Sequence, residues 1–253
     1  MCRVLLSILV FVSCSVQAAT ILVLGDSLSA GYGLDAGQGW VDLLERRLAQ
    51  RHLGYTVVNA SISGETSAGG LARLNASLDH AHPALLLLEL GANDGLRGLS
   101  LKAMRHNLDA IITRSQARGA KVILIGMRLP PNYGEPYTQA FYGIYTDLAL
   151  QRHLPLVPFL LRDVALNPQL MQRDQLHPTA AAQAQLLDTV WHTLAPLLRR
   201  TRDHALSLAP SHLAWSLIDE AAFLGASAML QRSNGRDPRQ EPNEKCGHPE
   251  NAT

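Results

Sequence analysis

An α/β fold with a parallel sheet and helices on both faces is what this sequence predicts, from three observations. Short apolar runs recur five times between residues 20 and 160. Each is apolar throughout rather than alternating, the pattern of a strand buried on both faces. Between them lie longer segments whose apolar residues return every three or four positions, as in helices with one buried face. Strand and helix in alternation imply crossover connections, and crossovers make neighbouring strands parallel.

The expected strands are "TILVLG" (20–25), "YTVVNA" (55–60), "ALLLLEL" (84–90), "KVILIGM" (121–127) and "PLVPFL" (155–160). The first expected helix, "WVDLLERRLAQRH" (40–52), places Val41, Leu44 and Leu48 on one face and its charges on the other. "LKAMRHNLDAIITRSQARG" (101–119) does the same with Met104, Leu108, Ile111 and Ile112, and Gly119 supplies its stop. "AFYGIYTDLALQRH" (140–153) and "PTAAAQAQLLDTVWHTLAPLLRR" (178–200) complete the set. The chain contains no internal sequence repeat.

The two ends read differently. Residues 1–18 have the form of a signal peptide: Arg3 as a positive start, an apolar stretch over 4–16 too short to span a bilayer, and "VQA" for cleavage after Ala18. The mature protein is therefore expected to be exported. Lipid attachment at Cys14 is the weaker alternative, because Phe11 stands where a leucine is usual. Cys2 and Cys14 leave with the signal, so Cys246 is the one cysteine of the mature chain and no internal disulfide forms. Residues 201–253 form an extension. Within it 204–230 fits an amphipathic helix, with Asp219 and Glu220 arguing against a membrane span. From Gln231 the chain is rich in Pro, Asn, Gly and charge and is expected to be disordered. Three N-x-S/T sequons, at Asn59, Asn75 and Asn251, are too common a pattern to carry weight.

Composition excludes several classes. With 253 residues, 47% hydrophobic and 17% charged, the chain is a globular protein with enough apolar residues for a substantial core. A net charge of +1, and no basic run interleaved with aromatics, gives no basis for nucleic-acid binding. The closest histidine pair, His80 and His82 in "HAH", lacks a Cys or Glu partner at metal-ligand spacing and reads as a solvated loop.

In open parallel sheets, ligands bind beyond the carboxyl ends of the strands. The residues just past each strand are therefore informative. Gly25, Asp26 and Ser27 come after the first, "SISGETS" with Gly64 after the second, and "GAND" with Asn93 and Asp94 after the third. "MQRDQLHPTA", past the fifth, carries Asp174 and His177. Taken singly, each has an ordinary structural explanation. Asp26, Ser27 or Asn93 would cap a helix, Gly64 would make a turn, and His177 would precede a Pro178 that opens the last helix. Together they supply every part of acyl transfer. A serine hydroxyl is a weak nucleophile until a base removes its proton, and His177 is the candidate base. The imidazole needs a carboxylate on its other nitrogen. Asp174, three residues earlier, can turn back onto Nδ1, whereas the side chain of Asp26 points away from its neighbour Ser27. The oxyanion of the tetrahedral intermediate needs donors already in place. The N–H groups of Ser27 and Gly64 and the side-chain amide of Asn93 can provide three, the missing Cβ of Gly64 allowing close approach. Because such a base must be neutral, activity is expected to fall below an ordinary histidine pKa of about 6.5.

"GDSLSAGYG", "NASISGETS", "ELGANDGLRG" and "DQLHP" stand in the order of the SGNH (GDSL) hydrolases, and the family's naming residues fall on Ser27, Gly64, Asn93 and His177. "GLARL" (70–74) and "RLPPNYG" (128–134) add a resemblance to the bacterial acyl-CoA thioesterase, lysophospholipase and arylesterase branch. The resemblance covers residues 19–200. It implies a flavodoxin-like three-layer fold with a five-stranded sheet, no metal or cofactor, a periplasmic monomer, and small acyl ester or thioester substrates. It also places the loop after the fourth strand beside an acyl pocket, with Leu129 and Pro130 as apolar contacts. The alanine in "GAND", where glycine is common, and the extension past 200 are departures.

Other classes fit less well. "GYGLDA" (31–36) resembles a dinucleotide fingerprint but lies beyond Ser27, and the second strand ends in Asn59 rather than an acid. No G-x-S-x-G surrounds Ser27 and no H-E-x-x-H occurs. An exported lipid- or sugar-binding protein would need neither Ser27 nor His177. Within the fold, a carbohydrate acetylesterase is the main alternative.

Overall fold

The computed structural model describes residues 18–207, with side chains through Leu198. The expected signal peptide, the cysteines and the extension beyond Ser207 lie outside the described residues. The whole sheet lies within one compact unit, which ends at Thr201.

Five parallel strands form the centre: β1 (Ala19–Gly25), β2 (Tyr55–Asn59), β3 (Leu85–Glu89), β4 (Lys121–Ile125) and β5 (Leu156–Val157). Their order across the sheet is β2-β1-β3-β4-β5. In register, Leu22 lies beside Val58 and Leu86, and Leu86 beside Val122. The chain reverses its direction of travel between β1 and β3, and such a switch point is where doubly wound sheets leave a crevice.

Burial tracks strand position. Every residue of β3 is buried, and so is β1 from Ile21 onward. β2, expected to be buried on both faces like the rest, is an edge strand and only partly covered. β5 is shorter than expected. Pro155, just before it, faces β4 and lacks the N–H that would lengthen the ladder.

Among the described residues, seven α-helices accompany the sheet. α1 (Ser27–Ala30) and α4 (Ala92–Leu96) are single turns at strand ends, and α2 (Trp40–Gln50), α3 (Ser67–Ala81), α5 (Leu101–Ala117), α6 (Glu135–Gln151) and α7 (Gln183–Ser207) are longer. Val41, Leu44 and Leu48 of α2 are buried, as are Met104, Leu108, Ile111 and Ile112 of α5. Burial of such a side chain contributes about 1.5–3 kcal/mol. α3 has no counterpart among the expected helices. Its first turn, Ser67 to Gly70, is too small and polar to show an apolar face. The small size is what the packing requires, since a Cβ on Gly70 would stand 2.3 Å from Leu90 Cδ1. His80 lies in this helix and His82 caps it in a left-handed conformation, so "HAH" is an exposed helix end rather than a loop.

Candidate active site

Ser27 is the first residue of α1 because the chain leaves β1 through a capped turn. The side chain of Asp26 accepts the N–H of Leu28 at 3.1 Å, and Gly31 closes the turn at φ 74°. The capping role expected for Asp26 is present. The cap uses one Asp26 oxygen and leaves the Ser27 hydroxyl out of it. Gly25 is needed for a different reason: a Cβ there would lie 2.7 Å from Oε2 of Glu89 and 2.8 Å from the Ser29 side chain.

His177 reaches Ser27 from the loop after β5. Met171 and Pro178 pair as an isolated antiparallel bridge, and Gln172 N–H donates to the His177 carbonyl at 2.7 Å, drawing 171–178 into a tight loop. Gln175 takes a left-handed φ of 57° at its apex. Pro178 therefore closes this loop instead of opening the last helix. α7 begins at Gln183, after a 3-10 turn at Ala180–Ala182.

Asp174 is turned back as the spacing implied. One of its oxygens accepts the N–H groups of Leu176 and His177 at 2.9 and 3.0 Å, and the other lies 2.7 Å from His177 Nδ1. His177 Nε2 is 2.9 Å from Ser27 Oγ. Partial desolvation works against the Asp174 charge, but the His177 side chain and the two backbone donors outweigh it and hold its pKa down at about 2. A carboxylate ionised at Nδ1 favours the tautomer that keeps the proton on Nδ1 and leaves the Nε2 lone pair facing the serine hydroxyl. The Tyr32 ring packs 4.5 Å from the imidazole, centroid to centroid.

Gly64 and Asn93 line the same cavity as Ser27. Gly64 adopts φ 80°, so it needs conformational freedom as well as the absence of a Cβ. Among the described residues neither its N–H nor that of Ser27 has a protein acceptor. Asn93 belongs to the first turn of α4, and its Nδ2 donates to Asp26 Oδ2 at 3.1 Å. Asp94 ties the loops together: its carboxylate accepts Ser67 N–H at 2.8 Å and the Ser67 hydroxyl at 2.6 Å.

Beneath the serine lies a buried carboxyl pair. Oε2 of Glu89 accepts the N–H of Asp26 at 3.2 Å and the Ser29 hydroxyl at 2.7 Å, while its Oε1 is buried without a partner. Burial, reinforced by the charge of Asp26, pushes the Glu89 pKa well above the carboxylate range. Burial likewise raises Asp26 to about 6, against hydrogen bonds from Leu28 and Asn93.

Ser27, Gly64, Asn93 and His177 all line one cavity of about 930 Å³, and so do Leu129 and Pro130. Its other walls are mostly apolar, among them Leu28, Leu96, Met127, Phe159, Leu161 and Met171. Among the described residues, no group of three or more His, Cys, Asp or Glu is placed to hold a metal ion.

The family model described as GDSL-like Lipase/Acylhydrolase matches residues 23–185, a span that takes in Ser27, Gly64, Asn93, Asp174 and His177. The chain belongs to the GDSL-like lipase/acylhydrolase family. Esterase TesA of Pseudomonas aeruginosa is 52% identical over 190 residues, covering 75% of this chain and 94% of that protein. Thioesterase 1/protease 1/lysophospholipase L1 of Escherichia coli K12 is 45% identical over 181 residues, 72% of this chain and 86% of its own. The crystal structure of the psychrotrophic esterase EstA from Pseudoalteromonas sp., inhibited by monoethylphosphonate, superposes with a TM-score of 0.68 at 43% identity, covering 71% of this chain and 98% of that one. Membership of this GDSL-like family makes the protein an ester-hydrolysing enzyme with the α/β fold described above.

Asp94 and Glu89 enter the site only through their contacts in the folded chain. Glu89 carries a signal in the sequence, as the one acid inside the apolar run 84–90. Asp94 carries none beyond its place next to Asn93.

Proposed function

We propose that this chain is an exported, periplasmic serine esterase and thioesterase acting on fatty acyl thioesters, lysophospholipids and aryl esters through an acyl-enzyme on Ser27. The observation that carries the reading is the Asp174–His177–Ser27 relay opening into a large apolar cavity. Its volume lies at the upper end of ligand pockets, which span about 300–1,000 Å³, and suits an acyl chain better than an acetyl group. The names of the relatives point the same way.

In this mechanism His177 Nε2 takes the proton of Ser27 as Oγ bonds to the acyl carbon, and the carbonyl π electrons move onto oxygen. The N–H groups of Ser27 and Gly64 and the Nδ2 of Asn93 hold the resulting oxyanion. When the carbonyl re-forms, the bond to the alcohol or thiol breaks and His177 returns the proton to the leaving group. Water then attacks the acyl-enzyme by the same route, releasing the acid and restoring the Ser27 hydroxyl. Asp174 orients the imidazole and offsets its transient charge.

The test is hydrolysis of p-nitrophenyl esters from acetate to palmitate by the native protein and by Ser27→Ala. Activity on medium or long chains, lowered by about 10⁴-fold or more in the variant, is expected. Equal hydrolysis by both proteins removes Ser27 as nucleophile, and a sharp optimum at acetate removes the fatty acyl assignment.

A further inference from the structure

Arg97, the residue that ends α4, bridges the two loops that carry the candidate oxyanion donors. Its Nη2 donates to the carbonyl oxygen of Gly64 at 2.8 Å and lies 3.4 Å from Oδ1 of Asn93. Both partners belong to the cavity wall.

The chemistry of an amide makes the second contact informative. Its oxygen only accepts and its nitrogen only donates. Asn93 turns its oxygen to a guanidinium and its nitrogen to the Asp26 carboxylate. A flipped amide would face donor to donor at Arg97 and acceptor to acceptor at Asp26. One orientation therefore survives. Nδ2 has two hydrogens, Asp26 engages one, and the second remains for an oxyanion in the cavity.

The first contact acts on the backbone. Glycine at positive φ has little intrinsic preference for one conformation, so the aim of the Gly64 N–H depends on outside anchors. A hydrogen bond to its carbonyl oxygen is such an anchor. A Cβ at Gly64 would lie 3.3 Å from the same Nη2, so the glycine also leaves the guanidinium its place.

We propose that Arg97 is a positioning residue for the reaction: one guanidinium nitrogen sets the aim of the Gly64 N–H and the orientation of the Asn93 amide together. This rests on the reading that those two groups serve a reaction at Ser27. Arg97 is exposed and its partners are neutral, so the same bonds add little to stability. A misplacement of about 1 Å in such donors can lower a rate by about 100-fold.

The experiment uses p-nitrophenyl butyrate, which has no phosphate or other charge for Arg97 to bind. Native protein, Arg97→Lys, Arg97→Ala, Asn93→Ala, the Asn93→Ala/Arg97→Ala double variant and Ser27→Ala are compared, with thermal melting of each. Arg97→Ala is expected to lower kcat by about 10- to 100-fold with KM and melting temperature nearly unchanged. Added guanidinium ion, but not ammonium, restores part of the rate, and Arg97→Lys lies between Arg97→Ala and the native protein. In the Asn93→Ala background the loss from Arg97→Ala shrinks, because one of the two aimed donors is already gone. An unchanged kcat, a rise confined to KM, or an undiminished loss in the Asn93→Ala background overturns the proposal. If Ser27→Ala is as active as the native protein, the underlying reading fails as well, whatever Arg97 does.

Discussion

Ser27 stands between two sets of carboxyl groups that the fold treats in opposite ways. Asp174, on the open side, is partly exposed, accepts three hydrogen bonds and is held at about 2. Asp26 and Glu89, on the sheet side, are buried and displaced upward, Asp26 to about 6. The two sides share the same serine, so nearness to its hydroxyl does not set the charge of an acid. The balance of donors against lost water does. Asp174 has enough donors to stay charged beside the imidazole, whereas Glu89, with one oxygen unpartnered, is better kept neutral.

Removing charge on the open side is the severest way to test this contrast. Asp174→Asn keeps the shape but presents an amide to His177 Nδ1, favouring the wrong tautomer, and kcat is expected to fall by about 10³- to 10⁴-fold. Steady-state kinetics on a p-nitrophenyl ester check it. A loss under about tenfold would mean that the open-side acid does not orient the base.

On the sheet side, Gly25→Ala probes how tightly the buried acid is seated. The new methyl would press on Glu89 Oε2 and Ser29, and a loss of about 1–3 kcal/mol in stability is expected from such overpacking. Urea denaturation measures it. An unchanged midpoint would show that the carboxyl moves aside freely.

The smallest effect sharpens the contrast through pH. For Asp26 and Glu89 the folded pKa lies above the unfolded one, so folding favours the protonated forms. The wild type therefore loses stability from this pair as pH rises above about 4. For Asp174 the folded pKa is the lower one, so its contribution is present above about 4 and is lost as pH falls toward 2. Glu89→Gln needs no proton to stay neutral. Its urea midpoint should decline less between pH 5 and pH 8 than that of the wild type, and parallel declines would show that Glu89 is already ionised.

Much of this is legible in the sequence, and the reasons are local. Leu85 to Leu88 form a strand buried on both faces, and an unbroken apolar run can say so by itself. β2 reads almost as apolar, yet it lies at the sheet edge, because strand order is a property of crossovers and not of any one run. α3 escapes the pattern because its first turn is small and polar, and close packing against Leu90 demands a glycine at position 70. At the site, Asp174 and His177 are three residues apart and their contact can be foreseen from chain length alone. Asp26 with Asn93 and Arg97 with Gly64 are separated by 67 and 33 residues, and only the folded sheet brings them together.

The two-residue β5 has a consequence away from any chemistry. An uncovered sheet margin is a template on which a second copy can lay down its own backbone, and long flat margins seed fibres. Here that margin is only Leu156–Val157 long, and Pro158 beside it brings no N–H to the rim. Along this margin, unlike the longer β2 edge, a neighbouring molecule finds little to zip onto.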